Sequence, residues 1–418
     1  MSGVAITGLG ALTGLGDTAS ALFAGLLAGQ SAARCLPALS GTPLDVGPLV
    51  AASLPGEDNR DGQALLSDRP RATSFLRHAA SEALEQAGLA SSRARASLRV
   101  GVCVATTLGE KAPWLAALAS LHKDPSSEIP PVDFGCALPA QRLATALSAS
   151  RVRVISTACC SSNSALGLSL QWLRNDLCDV VLCGGVDVLQ PFVVSGFRLL
   201  RAQSPDICRP FDLRRSGVNL GESAACVVLE SERLARARGQ QILARLVGAG
   251  LSQDAHHMTA PDPQGRGALL AMQRALSDAN VAAEAIDFVS SHGTGTPFND
   301  QMEARAIKLL FGDHSRHVPV NSIKGSVGHT LGAAGVLEAV MATHVLRRQQ
   351  IPATTGLEQP DPSFELDLVM GAPRAHAVRY VLSTTSGFGG ENAAVVLASG
   401  DEDRKSTRLN SSHANVSR

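Results

Sequence analysis

Gly221-Glu222-Ser223-Ala224-Ala225-Cys226-Val227-Val228-Leu229-Glu230 is a phrase that recurs in similar form later in the chain. The second copy is Gly390-Glu391-Asn392-Ala393-Ala394-Val395-Val396-Leu397-Ala398-Ser399, and the two leading glycines stand 169 residues apart, at 221 and 390. Each copy is a short continuous apolar run, the pattern of a strand covered on both faces. The same spacing carries Cys159 to residue 328, one residue before His329. Two matches in nearly one register predict an internal duplication, with halves at 1–240 and 241–400 and a boundary in the polar Arg233–Gln241 stretch.

Working outward, strand, Gly-rich turn and helix alternate. Val4–Thr7, Arg99–Ala105, Arg151–Ser156, Val180–Cys183 and Ile286–Val289 read as strands, with Gly8-Leu9-Gly10 and Gly184-Gly185 as the turns after the first and fourth. Ser74–Ala87 reads as an amphipathic helix stopped by Gly88, and Ser162–Arg174 and Leu331–Leu346 as further helices. An α/β fold follows. Residues 401–418 are polar and without hydrophobic period, so the tail is expected to be disordered, and its adapter-like composition sets it outside the native domain.

Composition excludes several classes. A chain of 418 residues has room for two or three domains. Lys plus Arg and Asp plus Glu are 37 each, so no net charge draws the chain to nucleic acid or to a membrane surface, and neither partner is expected. With 45% hydrophobic and 18% charged residues the chain can bury a large core. Two Trp, one Tyr and 11 Phe offer few stacking platforms for single strands. Nine cysteines without a CxxC pair, and no cationic-then-apolar leader after Met1, predict reduced thiols, a cytoplasmic location and no metal framework. Charged residues or glycines interrupt every apolar stretch before the roughly 18 residues a membrane span needs.

Three segments carry reactive side chains at strand-to-turn junctions. In Ser156-Thr157-Ala158-Cys159-Cys160-Ser161 a strand ends and a helix begins, so the Cys159 thiol faces the positive helix end, which favours thiolate. The alternative is a pair of small residues packed between helix and sheet. In Ser291-His292-Gly293-Thr294-Gly295-Thr296 the small neighbours let a thioester approach the imidazole; the alternative is a His that caps its own turn. In Ser322-Ile323-Lys324-Gly325-Ser326-Val327-Gly328-His329, Lys324 and His329 have small uncharged neighbours, which predicts burial, and a buried Lys needs a carboxylate, for which Glu338 on the following helix is the candidate. Otherwise Lys324 is a solvated loop charge. Strand ends of an open sheet converge on one crevice. One thiolate with two neutral imidazoles suits acyl transfer through a thioester, the second imidazole serving an additional negative charge such as an enolate.

In order along the chain, Ile6-Thr7-Gly8-Leu9-Gly10, the Thr157–Ser161 block, Arg209-Pro210-Phe211-Asp212, His292–Asp300, Asn321–Gly335 and Gly387–Asn392 resemble the β-ketoacyl-acyl-carrier-protein synthases, condensing enzymes of the thiolase superfamily. The resemblance spans about Gly3 to Ala398. It implies a thiolase-like fold, two duplicated α/β halves in a layered αβαβα core. It implies decarboxylative Claisen condensation of an acyl-enzyme with malonyl carrier protein, giving a 3-oxoacyl carrier protein in fatty acid, polyketide or aryl polyene elongation. By it, Cys159 takes the acyl chain, and His292 and His329 stabilise the enolate. Lys324 and Glu338 form a supporting ion pair. Phe388 gates the acyl site and shares oxyanion binding with the Cys159 N–H. Thr294 and Thr296 flank the phosphopantetheine arm, and Asp300 and Glu303 are structural. Arg69 and Arg71 are candidates for docking acidic acyl carrier protein, with Arg201 and Arg209 weaker ones. No cofactor of the enzyme's own is implied, only phosphopantetheine delivered on the carrier, and the expected assembly is a homodimer or a heterodimer with a related subunit.

Departures from the family pattern are Ser386 for a Phe, Glu391 for a Thr, Ser216 for an Asp and Cys160 for a Thr or Ser. None removes a reactive group; together they point towards a specialised pathway. Two other readings are a non-catalytic partner that sets chain length, and a non-decarboxylating thiolase. Retention of Cys159 with both imidazoles weighs against the first, and the His292–Thr296 and Lys324–His329 blocks against the second.

Overall fold

The structure is a computed structural model that describes residues 3–36, 49–54, 70–126 and 135–400. The expected tail at 401–418 and Arg69 lie outside the described residues.

Among the described residues, eleven strands join in one sheet. They are β1 Val4–Leu12, β2 Val100–Ala105, β3 Arg151–Ile155, β4 Val180–Asp187, β5 Ser223–Ser231, β6 Ala244–Gln253, β7 Phe288–Ser290, β8 Pro319–Asn321, β9 Asp367–Leu368, β10 Tyr380–Gly387 and β11 Glu391–Ser399. Six helices cover them: α1 Arg71–Gln86, α2 Leu138–Leu147, α3 Ser161–Arg174, α4 Arg266–Ala279, α5 Pro297–Phe311 and α6 Ala334–Arg348. The strand order is β9-β8-β7-β10-β11-β6-β1-β5-β4-β2-β3. With β9 set aside it is a palindrome: β1-β5-β4-β2-β3 on one side is answered by β6-β11-β10-β7-β8 on the other. The repeated phrase is β5 and β11. They occupy equivalent places, each antiparallel to both its neighbours.

The two sides touch lightly as a sheet. β1 and β6 pair over only Val4–Ile6 against Leu246–Ala244. Among the described residues, the three largest of four apolar cores take the side chains of these strands. Val227 and Leu229 of β5 and Val395 and Leu397 of β11 point to a central core that also takes Leu166 and Leu170 of α3 and Val336, Leu337 and Val340 of α6. Alternate residues face out: Cys226 and Val228 pack with α1 and α2, and Ala394 and Val396 with α4 and α5. Period-two alternation therefore feeds two apolar cores per strand, which is why these strands read as unbroken apolar runs. The layers are α1/α2, sheet, α3/α6, sheet and α4/α5, the expected αβαβα core.

Two expected turns are strand instead. β1 runs through Gly8 and Gly10 because α1 lies on it: a Cβ at Gly8 would stand 2.0 Å from the Ala83 carbonyl oxygen, and one at Gly10 1.9 Å from that of Ala79. β4 runs through Gly184 and Gly185, where added Cβ atoms would meet Leu76 Cδ1 and the Ala333 Cα, both at 2.9 Å. These glycines admit neighbouring helices rather than bend the chain. α1 also begins earlier than its own sequence announces. Its cap is remote: Thr73 N–H and Oγ1 both donate to Glu110 Oε2 at 2.9 Å.

Candidate active site

The elbow that presents Cys159 follows β3. Ala158 sits at φ +48, in the left-handed region that a non-glycine residue enters only when its surroundings hold it there. Ser161 supplies that hold. Its Oγ accepts the Thr157 N–H at 2.8 Å and donates to the Ala158 carbonyl at 2.6 Å. Cys160 turns away, its thiol donating to the carbonyls of Thr385 and Glu391 at 3.2 and 3.1 Å. The neighbouring thiol thus secures the β10–β11 hairpin and leaves Cys159 alone in the cavity.

His292 follows β7 in a loop held by two carboxylates of α5. Glu303 accepts the N–H groups of His292 and Gly293 at 2.6 and 2.7 Å and the Thr384 hydroxyl at 2.7 Å. Asp300 accepts those of Thr294, Gly295 and Phe211 at 3.0, 3.1 and 2.8 Å. Their structural part is plain: they fix the loop backbone that aims the imidazole. His329 donates its backbone N–H to the Asn219 carbonyl at 2.7 Å and accepts the Gly221 N–H at 2.9 Å, so the first repeated phrase begins beside it.

Asp187, at the end of β4, went unnoticed in sequence. Fully buried, it accepts Thr106 Oγ1, Thr107 N and Oγ1, Leu108 N and, across the molecule, the Gly332 N–H at 2.7 Å. It ties the loop after β2 to the turn after His329. The one available signal was an acid closing an otherwise apolar run.

The three junctions meet. Cys159 Sγ lies 2.9 Å from His329 Nε2, the two imidazoles stand edge to face with centroids 5.3 Å apart, and the donor atoms of Cys159, His292 and His329 all fall within 4.8 Å of one another. They open on a cavity of about 350 Å³ that Thr294, Thr296, Phe197, Phe298, Ser386 and Phe388 also line. The Thr294 and Thr296 hydroxyls are 2.9 Å apart. Phe388 is 36% exposed, and its ring rests 5.4 Å from that of Phe197, which lies edge-on to His329. Lys324 Nζ and Glu338 Oε1 pair at 2.7 Å, both side chains almost wholly buried.

Electrostatics corrects one expectation. Burial pushes the Cys159 thiol up to about 12, with the Asp187 charge adding; the Lys324 charge and the N–H groups of Phe388 and Cys159 pull it back only in part. The resting sulfur is a thiol rather than the helix-stabilised thiolate that its position suggested. Both imidazoles are held well below their usual range, by burial first and then by the Lys324 charge, so both are neutral. Burial also raises Glu338 to about 7, opposed by Lys324. Backbone N–H groups of Cys159 and Phe388 therefore converge on the sulfur, where an acyl carbonyl oxygen would need donors.

The docking arginines fare differently. Arg71 is turned inward, its guanidinium 2.8 Å from the buried Glu222 carboxylate, so little of it is offered to a partner. Arg209 pairs with Glu358 at 3.3 Å. Arg201 is exposed and lines the cavity mouth.

A duplicated αβαβα core presenting a thiol and two neutral imidazoles in one apolar cavity defines a thiolase-like acyl-transfer site. Residues 1–235 match the beta-ketoacyl synthase N-terminal domain family and residues 243–358 its C-terminal domain family. The 3-oxoacyl-[acyl-carrier-protein] synthase 2 of Coxiella burnetii is 35% identical over 94% of this chain and 98% of its own. Nodulation protein E of Rhizobium meliloti is 36% identical over 94% and 98%. The solved structure of the ishigamide ketosynthase/chain length factor superposes with a TM-score of 0.87 at 32% identity, covering 95% of this chain and 99% of that one. The chain belongs to the β-ketoacyl synthase family. It is an acyltransferase of the elongating type, lengthening an acyl chain by decarboxylative condensation. No helix among the described residues is long and apolar enough to cross a membrane.

Proposed function

We propose that Cys159 carries the acyl chain and that acyl carrier protein delivers both substrates on phosphopantetheine. The observation that carries this reading is the convergence of Cys159, His292 and His329 within 4.8 Å. In the first half-reaction the Cys159 S–H proton passes to His329 Nε2, 2.9 Å away, as the sulfur attacks the incoming thioester. The departing phosphopantetheine thiol takes that proton, which returns His329 to neutrality. Malonyl carrier protein then enters. Both imidazoles are neutral, so His292 presents an N–H and His329 does so as the tautomer that carries its proton on Nε2, reached by proton exchange with solvent after the first half-reaction; the enolate left by departing carbon dioxide is then held by two donors. Its carbon attacks the acyl-Cys159 carbonyl. The N–H groups of Cys159 and Phe388 hold the tetrahedral oxyanion; collapse expels the sulfur as thiolate, which takes a proton from solvent.

Lys324 and Glu338 keep the buried charge beside the imidazoles balanced. Thr294 and Thr296 flank the phosphopantetheine arm, and Phe388 gates the acyl site. Among the docking candidates described, the exposed Arg201 at the cavity is the one left to meet the carrier protein. The enzyme needs no cofactor of its own. It works in the cytoplasm as a dimer, and the ketosynthase/chain length factor relative favours a non-identical second chain. Ser386 and Glu391, together with the nodulation-protein relative, favour a specialised pathway over housekeeping elongation. The test is intact-protein mass spectrometry after exposure to acyl carrier protein bearing a panel of primers. An acyl adduct on Cys159, discharged by malonyl carrier protein, is expected; a folded protein that acquires none overturns the reading.

A further inference from the structure

We propose that Cys159, His292 and His329 also form an inhibitory site for a thiophilic divalent cation, typified by Zn²⁺, which seats on the sulfur and two ring nitrogens and closes the nucleophile. The proposal uses the side chains assigned above but not their catalytic roles. Sequence spacing gave no hint of it, because the three ligands come from three separate junctions that only the fold brings together.

The donor set is the first argument. One sulfur and two imidazoles are the soft and borderline ligands that zinc takes in three-ligand sites with an open fourth position. The second is span. At Zn–S about 2.3 Å and Zn–N about 2.0–2.1 Å, tetrahedral ligands stand about 3.3–3.6 Å apart. The sulfur to His329 Nε2 distance of 2.9 Å and the outer limit of 4.8 Å for the set bracket that value, so small side-chain movements seat the ion. The fourth coordination position faces the cavity, where water or a substrate oxygen can fill it.

Two features make the site inhibitory and reversible rather than resident. The Nδ1 atoms of both rings are buried without a protein hydrogen-bond partner, whereas ligating imidazoles in durable sites donate that N–H to a carboxylate or carbonyl. Lack of that support lowers affinity roughly 10–100-fold. The Lys324 ammonium opposes a second cation nearby, although Glu338 at 2.7 Å neutralises much of it. In the binding step the S–H bond breaks, its proton leaves to solvent, the sulfur–metal bond forms and the ion sheds bound water; nothing is oxidised or reduced.

The test measures iodoacetamide alkylation of Cys159 in the metal-free full chain, by peptide mass spectrometry, with and without ZnCl₂. With the ion about ten times above its Kd, alkylation slows about tenfold, and EDTA restores it. Co²⁺ in place of Zn²⁺ gives visible bands of a tetrahedral thiolate–imidazole complex that Cys159→Ser abolishes. His292→Ala loses the protection while Cys159 stays alkylable. Should that variant misfold, the cobalt spectrum of the unaltered chain still decides. Unchanged alkylation under Zn²⁺, or no cobalt bands, overturns the proposal, as does protection undiminished in a folded His292→Ala. Alkylation needs no turnover. A chain protected by Zn²⁺ yet never acylated would refute the synthase roles and leave the metal site standing, and the reverse result would do the opposite.

Discussion

The two halves of the molecule build the same junction and fill it differently. Cys159 leads into α3, and His329, 170 positions on, leads into the equivalent α6. Each passage includes a left-handed non-glycine residue, Ala158 at φ +48 and Leu331 at φ +53. In the first half the junction holds a thiol, and the helix behind it carries no acidic side chain and only Arg174 as a base, at its end. In the second it holds an imidazole, and the helix behind it buries Glu338 and His344. The strands that lead to the two junctions lie towards opposite ends of the sheet, and it is the packing of α3 against α6 in the central layer that brings the two junctions together.

The contrast is broken most directly at the sulfur. Cys159→Ala should lower condensation by on the order of 10³-fold or more in a carrier-protein turnover assay. Cys160→Ala, whose thiol turns away from the cavity to bond the Thr385 and Glu391 carbonyls, should retain most of it. Equal losses would mean that the nucleophile is misassigned. The next largest effect falls on the second half. Glu338→Leu strands the buried Lys324 ammonium and should destabilise the fold by about 3–5 kcal/mol in urea unfolding. Adding Lys324→Met should recover most of that. A single variant as stable as the parent would show that the ion pair does not maintain this half.

His329→Asn comes third. It keeps a donor but changes its reach and removes the base beside the sulfur. Decarboxylation of malonyl carrier protein, read as carbon dioxide release, should fall by about 10²–10³-fold, the usual loss for one oxyanion donor. An unchanged rate would leave His292 as the sole enolate donor and weaken the parallel between the junctions.

Much of this contrast is legible in the chain. The repeated phrase at 221 and 390 gives away the duplication because strands covered on both faces must be apolar along their whole length. Cys159, His292 and His329 stand at tight strand-to-turn junctions with small neighbours, but the residues alone leave core packing and turn capping open, and the resemblance to the β-ketoacyl synthases is what singles them out. Long-range contact hides the rest. Gly8, Gly10, Gly184 and Gly185 look like turns until helices are seen pressed on them. The start of α1 depends on Glu110, 37 residues from Thr73. Asp187 gathers donors from both halves. The thiol state of Cys159 reflects burial outweighing a helix end, a balance no local pattern contains.

His344 gives the smallest and most selective test, because α3 has no counterpart to it. The ring is buried, stacks on Phe23 at 4.9 Å, and is held down to about 4, by burial first and then by the Arg347 and Arg348 charges. A histidine whose folded value lies below its unfolded one contributes stability that is complete above about pH 6.5. As pH falls from there towards about 4 the unfolded chain takes up a proton that the folded chain refuses, and stability is lost. Over that window the loss should reach about 2–3 kcal/mol. His344→Leu keeps an apolar group against Phe23 and should remove this part of the acid slope while leaving the neutral-pH assay of condensation largely intact. Urea midpoints of the two proteins at pH 7 and pH 4.5 check it. If the slopes coincide, the acid sensitivity of the fold lies elsewhere than in the core of the second half.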